Sequence, residues 1–389
     1  MQNWHPKHLI ATLCLLALAP WAEGRPEPTP PASAAPAVAQ EDARREGLGR
    51  GLGALAADPE ERLRQAAAAD WHPGPPERRF EVVRVVDGDT IHIQRDGELQ
   101  KLRLLSVDTE EKLSGRPNSG GSKPETVYGQ ASADWAVRFF ADLADEDGTT
   151  RVGLLFPEGV ERRDVYGRIL CHVVLPDGTD FNLLLVALGR SPYFNKYGNS
   201  LICPEAFRGA QARARQAQLG VWDPATNAAR DGRPEVKRPY AKLLPWWEAR
   251  ARAVEAFRAA RSEAPDRVAA ADEPEALEAL LETEGDVRVF GSIFRIFEED
   301  DRSVTLLFRT GETERAFRAR VSARAAKGLD VDALQASTDE FRQNYLWVTG
   351  KLERDRKGFD IQVGDPDVVE LAGPEPAALE AGPRSGGEK

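Results

Sequence analysis

Between residues 81 and 111 the apolar positions fall in three short runs. Val82-Val83-Arg84-Val85-Val86 ends on Asp87-Gly88-Asp89-Thr90. Ile91-His92-Ile93-Gln94 leads into an Asp96-Gly97 turn, and Leu102-Arg103-Leu104-Leu105-Ser106-Val107 ends on Asp108-Thr109-Glu110-Glu111. Short β-branched and aliphatic runs broken by an Asp-Gly turn predict paired strands. The period then lengthens to that of a helix over 128–144, with Ala131, Trp135, Phe139 and Leu143 on one face. Runs at 151–156 and 168–175 predict further strands. A short helix is expected over 182–188, stopped by Gly189, and another over 208–219.

Residues 225–284 are charged, rich in Ala and expected to be partly helical, with Trp246-Trp247 available to anchor them to a domain surface. From Val287 the pattern returns to short strands, at 287–297, 303–308, 316–321, 345–351 and 359–363. A polar, partly helical insert at 322–342 lies between the third and fourth. Five strands with a helix after the third match an OB-type barrel. The expected fold class is therefore an OB-like β-barrel with packed helices (α+β), followed by a second OB-type β-barrel.

The ends read differently. Lys7 and His8 precede the apolar run 9–19, and Ala22-Glu23-Gly24 offers a cleavage motif, so 1–24 is expected to be an export signal. The run is short for a membrane span, and no second long apolar run follows; an uncleaved anchor is the other reading. The expected layout is a signal peptide at 1–24, a Pro/Ala-rich and helical linker at 25–78 and a first barrel domain at 79–224. A helical linker at 225–284, the second barrel at 285–372 and a disordered tail at 373–389 follow. The expected location is the cell envelope or the exterior.

A length of 389 residues fits this number of domains. The net charge of −11 argues against a protein that coats nucleic acid through a broad basic surface. It leaves open an enzyme acting on a phosphodiester locally. Three cysteines are too few for a disulfide scaffold or a zinc module. Cys171 and Cys203 would meet an oxidising compartment, paired or as two free thiols. His92 and His172 fall in strand patterns and carry no evident chemistry. Phe290, Phe294, Phe297 and Phe308 are spaced like core residues.

The acids ending the first and third runs have more to say. Asp87 and Asp89 are two apart, so an extended backbone turns both carboxylates the same way, and Asp108 joins them if the third run pairs nearby. Taken alone, Asp-Gly-Asp-Thr is as expected for a turn; two such clusters at adjacent strand ends are not. Carboxylates with a main-chain carbonyl suit Ca²⁺, with Mg²⁺ and Mn²⁺ as alternatives. Arg103 interrupts an otherwise apolar run, and Arg168 follows Asp164-Val165-Tyr166-Gly167. A guanidinium fork matches phosphate oxygens and stays charged, while Glu111 can accept a proton from an attacking water.

These pieces resemble the staphylococcal-nuclease-like (thermonuclease) family. The matching motifs are Val86-Asp87-Gly88-Asp89-Thr90, the stretch from Arg103 to Glu111, Tyr128-Gly129-Gln130-Ala131-Ser132, Asp164-Val165-Tyr166-Gly167-Arg168 and Leu219-Gly220-Val221-Trp222. They cover about residues 80–224 in the family's order. The resemblance implies calcium ligands at Asp89, Asp108 and the carbonyl of Thr109, with Asp87 as an outer acid near the metal. It implies phosphate-binding arginines at Arg103 and Arg168 and a general base at Glu111. It also implies DNA and RNA as substrates, cut without strict sequence choice; the alternative is a non-catalytic binding module for nucleic acid or a protein. Tyr193 and Tyr197 fall where the family places base-stacking aromatics, though the segment does not align cleanly and packing roles are equally open. Glu110 stands where the family usually has Pro, beside the expected base. Nothing in the sequence identifies a partner for the second barrel.

Overall fold

The computed structural model describes residues 59–114, 123–164, 166–230, 232–310, 315–331, 334 and 345–372. All of them lie in the compact unit Ala57–Lys389. The expected signal peptide, most of the first linker, residues 115–122, most of the 322–342 insert and the C-terminal tail lie outside the described residues.

The three runs at 81–111 form a meander, β1 (Phe80–Val85), β2 (Thr90–Arg95) and β3 (Glu98–Leu104). Asp96 and Gly97, both at positive φ, make its second turn. β3 runs parallel to β6 (Ile169–Val174), which pairs antiparallel with β4 (Arg151–Leu155). β4 returns to β1, closing a five-stranded barrel, and the two-residue strand β5 (Arg162–Arg163) is added on β6. Alternation sends Ile91, Ile93, Leu102, Leu104, Ile169, Cys171 and Val173 inward.

Among the described residues four helices cover this barrel. The first, α1 (Pro59–Asp70), has the thin apolar face its sequence suggests. It still docks through Leu63 and Ala67 and through ion pairs of Arg64 with Asp177 and Asp70 with Arg213. α2 (Val127–Asp142) is capped by the Thr126 hydroxyl, which accepts from Gly129 N–H. Its buried face comprises Ser132, Trp135, Ala136 and Phe140, rotated from the expected stripe so that Ala131 is outside. α3 (Phe181–Ala187) is buried along its whole length, and α4 (Pro204–Gln216) lies outside it. Cys171 and Cys203 are free thiols, so of the two sequence readings the unpaired one holds.

The 225–284 region contains one long helix, α5 (Tyr240–Glu263), then β7 (Val268–Ala270) and α6 (Pro274–Leu280). Trp246 and Trp247 do anchor it: both are buried, and Trp247 meets Phe194 edge-on at 4.8 Å. About three turns on, Phe257 stacks on Phe290 at 4.8 Å, tying the same helix to the second β-rich part.

That second part holds more strands than its sequence pattern separates. The run at 287–297 splits at Ser292 into β8 (Val287–Gly291) and β9 (Ile293–Glu298). β10 (Val304–Phe308), β11 (Ala316–Val321) and the short helix α7 (Ala323–Ala326) follow, so a helix does come after the third expected run. β12 (Leu346–Gly350), β13 (Leu352–Asp355), β14 (Gly358–Val363) and β15 (Val369–Leu371) complete it. They form a five-stranded sheet, β13-β14-β11-β10-β9, and a four-stranded sheet, β15-β12-β8-β7, around one core. The chain passes between sheets at Ser292 and Lys351, as at the corners of orthogonally packed sheets, and the arrangement is compatible with a second barrel. Phe290 and Phe308 are core residues as expected, but Phe294 and Phe297 are not. They lie 45% and 42% exposed on the edge strand β9, whose outward face has no covering layer among the described residues.

Candidate active site

β3 ends at Leu104, and Ser106 takes a positive φ that turns the chain across the barrel mouth. Three contacts hold the turn to the 191–194 segment. Asp108 N–H donates to Ser191 Oγ (2.8 Å), Phe194 N–H donates to the Ser106 carbonyl (2.9 Å), and Val107 bridges Tyr193. The Asp87-Gly88-Asp89 turn presses on Thr109, and a Cβ at Gly88 would strike that side chain. Likewise a Cβ at Gly129 would strike the main chain of Glu110 and Glu111, so α2 can start directly behind them only with glycine there.

These approaches bring the acids and Arg103 together. Arg103, opposite Thr90 in the β2–β3 ladder, pairs with Asp89 through one nitrogen and with Asp108 through the other at 2.8 Å. Asp89 also accepts from Thr109 N–H (2.9 Å), and Asp89 N–H donates to Asp87 (3.1 Å). Glu111 and Arg168 line the same cavity of about 1090 Å³. Arg168 is held by Asp164, which accepts from its Nε (2.7 Å) and its N–H (2.9 Å).

The charge balance is uneven across the site. Asp108 is buried, which alone would raise its pKa, but Arg238, Lys123 and Arg103 hold its carboxyl far below the usual range. Burial, then the carboxylates of Asp89 and Glu111, push Asp87 up to about 6. Glu111 is also raised, by burial first and then by Asp89 and Asp108 against the opposing pull of Lys123. Arg103 would be lowered by burial, but Asp89 and Asp108 keep it well above its ordinary value.

Chain similarity can be set beside this geometry. The family model described as "Staphylococcal nuclease homologue" matches residues 101–224. A thermonuclease of Staphylococcus intermedius is 33% identical over 144 residues, 36% of this chain and 74% of the relative. The chain belongs to the staphylococcal nuclease family. An uncharacterized endonuclease of Escherichia coli is 31% identical over 144 residues, 37% of this chain and 76% of that protein. Endonuclease YhcR of Bacillus subtilis is 31% identical over 157 residues, 39% of this chain but 12% of that longer protein.

In this nuclease-family chain the expected residues Asp87, Asp89, Arg103, Asp108, Thr109 and Glu111 converge, and Arg168 reaches the same cavity. The two tyrosines part company. Tyr193 is 2% exposed, stacks on Phe207 at 5.2 Å and accepts from Ser200 N–H with its hydroxyl (2.8 Å). It is a core residue and cannot receive a base. Tyr197 is 66% exposed and lines the cavity.

Glu110 has a role its sequence did not disclose. It is buried and turned away from Glu111, accepting from Thr126 Oγ1 (2.5 Å), Asn227 Nδ2 (2.7 Å) and Tyr240 Oη (3.2 Å). So engaged, it does not compete for the place of the base. Arg238, also beyond residue 224, donates to the Asp108 carbonyl (3.0 Å) and pairs with its carboxylate. Lys123 pairs with the same carboxylate at 2.6 Å. Asn227, Arg238 and Tyr240 lie in a stretch that reads as charged linker. The only local signal was an Arg-Pro-Tyr triplet shortly before the paired tryptophans.

Proposed function

We propose that this chain is an exported, metal-dependent nuclease that hydrolyses phosphodiester bonds in DNA and RNA with little sequence preference. The observation that carries the reading is the joint placement of Arg103, Arg168, Glu111 and Asp89 around one cavity, with the buried Asp108 paired to Arg103 behind its wall. The family membership and the names of the relatives support it, and the apolar run at 9–19 supports export.

Ca²⁺ is the cofactor the donor chemistry suits best, since the set consists of oxygens throughout. The crowding of Asp87 by Asp89 and Glu111 is a repulsion that a divalent cation relieves. Among the described residues no three acidic, His or Cys side chains are gathered closely enough to ligate an ion; Arg103, Lys123 and Arg238 balance the acids instead. Asp89, Asp108 and the Thr109 carbonyl would hold the ion, with Asp87 outside them. When bound, it would supply positive charge to the phosphoryl oxygens.

The chain's own groups supply the rest. Arg103 and Arg168 bind non-bridging oxygens and stabilise the charge that grows on them as the fifth bond to phosphorus forms. Glu111 takes the proton of the attacking water; burial and the nearby Asp89 and Asp108 make it a stronger base than a free glutamate. Asp164 fixes the Arg168 fork. The test is digestion of single- and double-stranded DNA with Ca²⁺ and with chelator. Arg103→Ala should cost about 10²–10³ in rate, and Glu111→Gln should abolish most turnover while the protein stays folded. No cleavage by the unaltered chain with any divalent metal would remove the reading.

A second reading is a non-catalytic module that binds nucleic acid. The observation favouring it is that the Asp108 carboxylate is already paired with three cationic side chains, Arg103, Lys123 and Arg238.

A further inference from the structure

We propose that a single strand of DNA or RNA leaving the candidate site continues along a basic groove onto the second β-rich part. Both parts then bind one substrate. The proposal takes the identity of the substrate from the nuclease reading; the groove itself is argued from the following observations.

The cavity at the site does not end at the barrel. Arg162, Lys196, Tyr197, Leu201, Arg258 and Asp272 line both it and a second cavity of about 1130 Å³, so the two form one continuous trough. Each is at or above the upper end of the ~300–1000 Å³ that holds a single small ligand, and their continuity suits a polymer. The second cavity lies between α5 and the β8–β9 corner and adds Arg250, Arg261 and Arg309. Its basic side chains number six (Arg162, Lys196, Arg250, Arg258, Arg261, Arg309) against three acids (Glu158, Asp272, Glu273). This stands out in a chain of net charge −11. Charges are screened beyond about 10 Å at ordinary salt, so a phosphate in the trough responds to its walls rather than to the acidic remainder.

Stacking surface accompanies the charge. Tyr197 is exposed where the cavities meet, with the Lys196 ammonium 5.4 Å from its ring centroid. Arg309, which lines the second cavity, lies over the half-exposed ring of Phe294 (5.4 Å) on edge strand β9, just outside that lining. Basic walls with an accessible aromatic face describe a single-strand path, since bases in a duplex stack on one another and have no free face to offer. The exposure of Phe294, anomalous for a core residue, has a use at the end of such a path.

The experiment measures binding of oligothymidylates of 3 to 15 nucleotides in chelator by fluorescence anisotropy, for the full chain and for Arg162→Ser/Arg261→Ser/Arg309→Ser. Thermal melting checks that the variant is folded, and cleavage of the same oligomers with Ca²⁺ is followed separately. The unaltered chain should gain at least tenfold in affinity as length rises to on the order of 8–12 nucleotides. The triple variant should lose that gain, and its salt slope for the longest oligomer should fall by about 2, near 0.7 per lost phosphate contact. Tyr197→Ala should weaken the long oligomers by about tenfold, within the range of one stacking contact. A length dependence that survives in the folded variant, or none in the unaltered chain, overturns the groove, as does equal or tighter binding of a duplex of the same length. Length-dependent binding without cleavage would sink the nuclease reading and leave the groove standing.

Discussion

Arg238 holds Asp108 twice, by its carboxylate and, at 3.0 Å, by its main-chain carbonyl. A cation from outside the family-matched stretch thus sits on an expected metal ligand. Arg238→Met should destabilise the metal-free protein by about 3–5 kcal/mol, since it leaves a buried carboxylate without its nearest partner. The same variant should bind Ca²⁺ more tightly, because Asp108 then lacks a competing cation. Calorimetric titration with Ca²⁺ and thermal melting in chelator check the two halves. Unchanged Ca²⁺ affinity would show that Arg238 does not compete for Asp108.

Glu110 and Glu111 are adjacent but should separate cleanly. Glu110→Ala removes the acceptor of three hydrogen bonds and is expected to cost about 2–4 kcal/mol. Its turnover per folded molecule should fall far less than that of Glu111→Gln. Chemical denaturation paired with cleavage rates reads both effects. A folded Glu110→Gln as inactive as Glu111→Gln would move the base to the wrong residue.

The Asp164–Arg168 clamp is pH-dependent with a definite sign. Burial alone would raise Asp164, but the hydrogen bonds from the Arg168 main chain and side chain lower it below its usual 3.8. A folded pKa below the unfolded one gives stability that is present above the unfolded value and lost as pH falls through the folded one. Asp164→Asn should therefore cost about 1 kcal/mol at pH 7, with the difference closing below pH 3.8. Melting curves of the two proteins from pH 7 to pH 2 give the comparison, and a gap that widens in acid contradicts the assignment.

Helix α5 joins the two halves through aromatic contacts at both ends. Trp247→Ala and Phe257→Ala should each cost about 3–5 kcal/mol. Trp247→Ala should release the nuclease barrel from the helix, and Phe257→Ala should release the second sheets. Hydrogen exchange would locate the newly exposed amides, on the 193–199 segment in the first case and on β8 in the second.

Much of the site could be read from the chain because its parts announce themselves locally. The Asp-Gly-Asp turn, the arginine inside an apolar strand and the acids after it each break a pattern, and a break is visible without knowing the fold. The closing contact β3–β6 could be anticipated only through the family resemblance, because parallel pairing leaves no turn signal. Tyr193 and Tyr197 were inseparable by spacing; the side chain that faced Phe207 was decided by α4, which lies later in the chain. The burial of Phe294 was expected from its spacing and failed because it falls on the outward face of an edge strand, next to the buried Ile293. Arg238 was beyond reach, since its partner is 130 residues away in sequence and neither residue marks the other.

The buried carboxylate of Glu110 bears on where this chain can be cut. A proline at that position needs no partner, whereas a buried glutamate without Asn227 and Tyr240 would keep only the Thr126 hydroxyl as a donor beneath the site. The buried acid and the docked segment after residue 224 therefore stabilise each other, so a chain cut at the end of the family-matched stretch would leave Glu110 short of two of its three donors and the barrel weaker than its own strands suggest.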